Sequence, residues 1–244
     1  MVHLLPLPGS PGWDGSMATV LQRAVADALA LKEGGCDAVI VENMGDVPYL
    51  RGHVDPETAS AMAVVTAEIV RLRIQVGVQV LAGANRQALG VAVASGASFI
   101  RCEAFAYAHV ADEGLLQASA GPLLRARAAL GARVEIWADV QKKHAAHALT
   151  GDLSLEQLAH GHAFCGADRL IITGSATGEP TSAADVDAAR SAGLPVLVGS
   201  GVTPDCMPPA DGWIVGSWLK RAGDWRQPVD VERVRTMKAA LTAG

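Results

Sequence analysis

Val196-Leu197-Val198-Gly199-Ser200-Gly201 and Gly212-Trp213-Ile214-Val215-Gly216-Ser217 are two short apolar runs that each stop at glycine and serine. Unbroken Val, Leu and Ile suit a strand buried on both faces, as in a parallel sheet. The glycines let the following loops approach a ligand through their backbone. A (β/α)8 barrel places two such runs at strands seven and eight, where loop amides and a short helix N-terminus commonly hold a phosphate. The reading is an anion site built from Gly199, Ser200, Gly201, Gly216 and Ser217, joined by Gly174 and Ser175 of the preceding loop. The structural alternative is a set of tight turns in which glycine serves backbone geometry alone.

Upstream, strands and helices alternate. Val2 to Leu5, Ala38 to Val41, Ile74 to Leu81, Phe99 to Glu103, Val134 to Asp139 and Leu170 to Thr173 read as the first six strands. Between them the apolar positions return at helical spacing, as in Met17, Leu21, Ala24, Ala28 and Leu31, with Gly34-Gly35 as a stop. Asn85 is expected to cap the third helix, Ser154-x-x-Gln157 reads as a capping box, and Gly161 is expected to interrupt the helix that follows it. The pattern predicts an α/β fold, a single (β/α)8 TIM barrel over residues 1–244. A doubly wound open sheet is the competitor, but no strand runs into G-x-G-x-x-G at the first turn.

Composition narrows the function. The formal net charge is -5, so no basic block is available to displace counterions from nucleic acid, although Lys142-Lys143 and Lys220-Arg221 are left to meet a small anion. Cys36, Cys102, Cys165 and Cys206 are scattered without C-x-x-C spacing, which fits a reducing cytoplasm better than a disulfide framework or zinc ribbon. The apolar start is short and broken by prolines, unlike a signal peptide, and no apolar stretch nears the roughly 20 residues of a membrane span. Any membrane contact is therefore expected to be peripheral. Barrels often pair, so a homo-oligomer is compatible with the chain, with no residue marking the face.

Polar residues gather at the predicted strand ends: Glu42 and Asn43, Arg101 and Glu103, Asp139 with Lys142, Lys143 and His144, then Thr173, Ser200 and Ser217. The carboxyl ends of barrel strands are where barrel chemistry happens. Glu42 and Asp139 are the pair expected to move protons, their mutual repulsion holding one of them protonated, with Asn43, Arg101 and Lys143 orienting a substrate and His144 beside them. The structural alternative is that each carboxylate caps a helix or pairs with Arg101. No cofactor is predicted. A divalent metal on His144, Asp139 and Glu42 is a lesser alternative, because a lone H-x-x-H at His144 and His147 is a weak signature. His3 reads as packed, and His53, His109, His160 and His162 as loop or surface residues.

These residues also fall into specific motifs. His3-Leu-Leu-Pro-Leu-Pro-Gly-Ser-Pro11, Val41-Glu-Asn-Met-Gly-Asp46, Ala138-Asp-Val-Gln-Lys-Lys-His-Ala145, Thr173-Gly-Ser-Ala-Thr-Gly178, Gly199-Ser-Gly-Val-Thr203 and Ala210-Asp-Gly-Trp-Ile-Val-Gly216 together resemble the BtpA/SgcQ family over nearly the whole chain. The resemblance implies a barrel of the ribulose-phosphate-binding type. It also carries two functional labels: photosystem I biogenesis, from one member, and nucleoside triphosphatase, from enteric members found among sugar-phosphate genes. Two stretches depart from the family pattern. Gln79-Val-Leu-Ala-Gly-Ala-Asn85 stands where Asn-Val-Leu-Arg-Asn-Asp is usual, and Cys102-Glu103 where Val-Asn is usual. Both departures fall at predicted strand ends, which implies a substrate of this chain's own. The leading expectation is an enzyme acting on a small phosphorylated metabolite, a sugar phosphate or nucleotide, by hydrolysis, glycosyl transfer or isomerisation. The competitors are an assembly factor for a membrane complex and a metal-dependent hydrolase.

Overall fold

The computed structural model describes residues 1–142, 145–173, 181–199 and 201–243. In chain order its strands are β1 (Val2–His3), β2 (Ala38–Glu42), β3 (Gln75–Gln79), β4 (Phe99–Cys102), β5 (His109–Ala111), β6 (Gly114–Leu116), β7 (Glu135–Asp139), β8 (Ala145–Ala146), β9 (Arg169–Ile172), β10 (Val196–Gly199) and β11 (Gly212–Ile214). The helices are α1 (Met17–Glu33), α2 (Pro56–Val70), α3 (Asn85–Ser95), α4 (Ala120–Ala129), α5 (Leu155–Phe164), α6 (Ala183–Arg190) and α7 (Val231–Ala243).

Eight strands form one sheet in the order β1-β2-β3-β4-β7-β9-β10-β11, every neighbouring pair parallel. The two edge strands meet. The Met1 backbone nitrogen donates to the Val215 carbonyl at 3.0 Å, and Gly216 lies against the His3 ring. The chain thus has the TIM-barrel fold that its strand–helix alternation predicts.

Two apolar clusters hold it. The larger packs the outer faces of the strands on helix stripes such as Val20, Ala24, Ala28 and Leu31 of α1. The smaller fills the barrel with Ile40, Phe99, Trp137, Ile171, Leu197 and Ile214, one side chain from each of six strands. Phe99 needs a partner strand without a side chain at this level: a Cβ on Gly77 would stand 2.1 Å from its ring. Close-packed interiors tolerate no such overlap, so Gly77 is set by packing.

Several local expectations change. The alternation is interrupted by β5, β6 and β8, which form a small antiparallel sheet beside the barrel; strands of two or three residues are too short to show a period of two in the sequence. Among the described residues no helix joins β10 to β11; the connection carries a Thr203–Cys206 bridge instead. Ala84, not Asn85, is the N-cap of α3, and the Asn85 amide donates to Glu103 O at 2.7 Å and Ser119 Oγ at 2.8 Å. Gly161 does not break α5; it makes room for Tyr107, whose hydroxyl would lie 2.1 Å from a Cβ there. The Ser154–Gln157 capping box forms as read.

Candidate functional site

Because all eight strands run the same way, their last residues share one rim. His3, Glu42 and Gln79 end β1, β2 and β3 and stand side by side in register, followed by Arg101 on β4, Glu103 just past it, and Asp139 ending β7. Gly201, Gly216 and Ser217 share the mouth, Gly216 beside the His3 ring, and a cavity of about 610 Å³ is lined by both sets of residues. Gly201 is in the left-handed region (φ +70°), and Gly216 precedes a single 3-10 turn, Ser217–Leu219. Gly199 closes β10 below them, packed against Ile171 and Thr173. Gly174, Ser175 and Ser200, the remaining members of the expected anion site, lie outside the described residues, as do Lys143 and His144.

The acidic wall is buried, and burial governs its chemistry. Arg101 is clamped on Asp139 by two hydrogen bonds, Nε to Oδ2 and Nη2 to Oδ1, both 2.9 Å. Despite desolvation, Asp139 and then Glu42 hold the guanidinium above its ordinary range. Asp139 therefore takes the structural alternative of pairing with Arg101 rather than standing free as a base. Glu42 is pushed up chiefly by burial, and the Asp139 charge contributes less than burial does. The expectation of two carboxylates set apart mainly by mutual repulsion is corrected accordingly: loss of water is the larger cause.

His3 belongs to this wall. Burial, reinforced by Lys220, pushes its pKa down to about 3, so the ring is neutral. Its Nδ1 faces the Trp225 carbonyl at 3.4 Å, which places the ring hydrogen there, and Nε2 lies 3.4 Å from Glu42 Oε2. A neutral acceptor nitrogen facing a carboxyl is satisfied when the carboxyl carries the proton. The contact therefore sets a neutral ring nitrogen against a carboxyl whose pKa burial raises, and is not an ion pair with a charged histidine.

Glu103 is the second acid. Burial pushes its pKa up to about 7, with Lys142 opposing. Lys142 Nζ sits 3.5 Å from Glu103 Oε2 and bonds both oxygens of Glu113, at the tip of the β5–β6 hairpin, at 3.1 and 3.0 Å. Burial works against its charge, but Glu103 and Glu113 outweigh it and hold the ammonium above its ordinary range.

Other candidates move away from the mouth. Asn43 is turned from it: its Oδ1 accepts from Leu81 N at 2.7 Å, and its Nδ2 donates to Asp46 Oδ2 at 3.0 Å and Leu81 O at 3.4 Å, so it ties the loop after β2 to the loop after β3. Lys220 is fully buried on Asp27 at 3.1 Å, unavailable to an anion. His109 and His162 are buried rather than superficial. His147 bonds the Lys142 carbonyl at 2.8 Å and packs beside His109. Among the described residues no three His, Cys, Asp or Glu side chains are grouped to hold a metal ion. Sequence reasoning gathered Lys142 at the rim without giving it a role, and missed His3, Gln79 and Glu113. His3 and Gln79 carry a positional signal, at the carboxyl end of a barrel strand; Glu113 carries none.

A parallel eight-stranded barrel whose mouth joins buried acids to glycine loops is a TIM barrel with its polar residues collected at the carboxyl ends of the strands. Solved structures similar to it include KGPDC from Streptococcus mutans, with 16% identity, TM-score 0.60 and coverage of 93% of this chain and 95% of that one. Phosphoribosyl anthranilate isomerase from Thermus thermophilus gives 15% identity and TM-score 0.56 over 90% and 94%. Orotidine 5'-monophosphate decarboxylase from Methanocaldococcus jannaschii gives 14% identity and TM-score 0.56 over 98% and 100%. At such identities the shared property is the fold.

The chain belongs to the BtpA family, whose model matches residues 1–242. It is 40% identical over 245 residues to an uncharacterised mitochondrial protein of Caenorhabditis elegans, covering 96% of this chain and 88% of the other. It is 38% identical over 254 residues to the photosystem I biogenesis protein BtpA of Synechocystis, covering 100% and 87%.

Proposed function

We propose that the chain is an enzyme that moves protons on a small phosphorylated metabolite. The phosphate rests on the backbone amides around Gly201 and the Gly216–Ser217 turn. Glu42, its pKa raised by burial, serves as general acid, and Glu103, poised near neutrality, exchanges the second proton. Arg101, held rigid by Asp139, stabilises negative charge that develops on a substrate oxygen. Isomerisation beside a carbonyl needs this set: an acid, a group that titrates near the working pH, and a fixed cation. The observation that carries the reading is the one cavity that buried acids and glycine loops both line. The barrel enzymes that share the fold support it by analogy.

A thermal-shift panel of phosphosugars and nucleotides tests it. Millimolar ligand should raise the melting temperature of the native protein, and Gly201→Asp, which sets a carboxylate into open space at the anion site, should abolish the rise. An equal response in the variant, or none in either protein, sinks the proposal.

The name of the Synechocystis relative supports a second reading, a docking body for a membrane complex. No helix among the described residues is long and apolar enough to cross a membrane, so such docking would be peripheral. Val110 and Leu115 lie opposite one another on the β5–β6 hairpin and are exposed, an apolar spot for a partner. Relatives of similar identity in a nematode and in Pyrococcus abyssi, which build no photosystem, favour chemistry as the shared role. Capture of a partner that survives Glu42→Gln and Glu103→Gln would favour docking instead.

A further inference from the structure

We infer that Gln79 and Glu103 form a hydroxyl-binding subsite, and that the ligand of this mouth is accordingly a polyol phosphate, an aldose or alditol phosphate whose hydroxyl groups meet these two side chains. The inference rests on the phosphate site proposed above and names what lies at the other end of the ligand.

Two buried acceptors without a hydrogen-bond partner carry it, Glu103 Oε2 having only the Lys142 ammonium at 3.5 Å. Gln79 is 2% and Glu103 6% exposed, and both line the cavity. Among the described residues neither Gln79 Oε1 nor Glu103 Oε2 has a hydrogen-bond partner. Burying such atoms unpaired is costly, and these two open into a cavity from which a bound ligand can complete them. The wall is also built to hold its shape. The Glu103 carbonyl is pinned by the Asn85 amide, and the backbone turns at Ala104 with φ +46°, a left-handed conformation that a residue with a side chain seldom adopts.

The chemistry of the wall selects the partner. A carboxylate oxygen only accepts, so the ligand must donate to Glu103. A second phosphate is repelled by Glu103 and Glu42. An ammonium group is repelled by Lys142, 3.5 Å from the same oxygen. A hydroxyl is neutral, and it both donates and accepts, so it also suits the Gln79 amide whichever way that group is turned.

Calorimetric titration of the full chain with inorganic phosphate, pentyl phosphate and ribitol 5-phosphate separates the parts. Pentyl phosphate matches ribitol 5-phosphate in carbon number and lacks its free hydroxyls. Ribitol 5-phosphate should bind about tenfold to a hundredfold more tightly than pentyl phosphate, the range for hydrogen bonds to a charged group. In Gln79→Leu and in Glu103→Leu that preference should fall to a few-fold while inorganic phosphate binds as before, which also certifies the fold of each variant. Equal affinity for the two five-carbon probes, or a preference that persists in both variants, overturns the subsite and leaves the phosphate site standing. Failure of inorganic phosphate and both esters to bind the native chain overturns the phosphate site and this inference with it.

Discussion

At the N-terminal end of the barrel Trp137 stacks on Phe99 with ring centroids 3.6 Å apart, Arg169 lies over the same indole, and Glu135 accepts from both Trp137 Nε1 and Arg169 Nε. At the C-terminal end, a few residues further along the same strands, stand Arg101, Glu103 and Asp139. Each end holds a cavity, about 470 Å³ below and about 610 Å³ above, so volume does not tell them apart. Pairing does. Among the described residues no orphaned buried polar atom lines the lower cavity, whereas Gln79 and Glu103 leave two in the upper one. One end is finished internally; the other is finished by whatever it binds.

The largest effect should come from the finished end. Trp137→Ala is expected to lower stability by about 3–5 kcal/mol in urea unfolding, with the affinity of the folded fraction for phosphate unchanged. A loss of binding at full stability would break the division between the ends. Next is the one clamp at the mouth: Arg101→Met should cost about 3–4 kcal/mol by leaving Asp139 and Glu42 buried without their cation, and Arg101→Met with Asp139→Leu should recover part of it.

Glu103 tests the unfinished end through pH. Its carboxyl titrates near 7 in the folded chain and near 4.5 when unfolded, so the folded state binds more protons between those values, and stability falls as pH rises through that window. Glu103→Gln should remove a dependence on the order of 2–3 kcal/mol, read as the difference between native and variant. The variant is the right reference because His3 pulls the other way: its folded pKa is depressed, and its contribution is lost as pH falls below about 6.5. An unchanged pH profile would mean that Glu103 carries no buried charge. The smallest effect belongs to the half-exposed pair at the lower rim. Arg169→Gln should cost about 0.2–1 kcal/mol, and less in high salt.

How far the site was readable depends on which physical rule positions each residue. Glu42, Arg101 and Asp139 come together because parallel strands bring their ends to one rim, and strand ends show in the apolar pattern. Asn43 follows Glu42 by one residue, and side chains of successive residues leave an extended chain on opposite sides, so its neighbour faces the cavity while it faces the next loop. Spacing puts Lys142 at the rim and free to meet an anion; its burial between Glu103 and Glu113 depends on a hairpin whose strands are too short to announce themselves. Lys220 looked available because its partner Asp27 lies 193 residues earlier.

Alternating apolar runs and helical stripes were enough, read in one dimension, to determine a barrel, its strand ends and the rim where charged residues collect, because those follow from local periodicity and from the common direction of the strands. Which carboxyl keeps its proton, which lysine is buried and which acceptors are left open was decided only in three dimensions. These are matters of desolvation and of partners far apart in the chain, and neither is encoded in spacing.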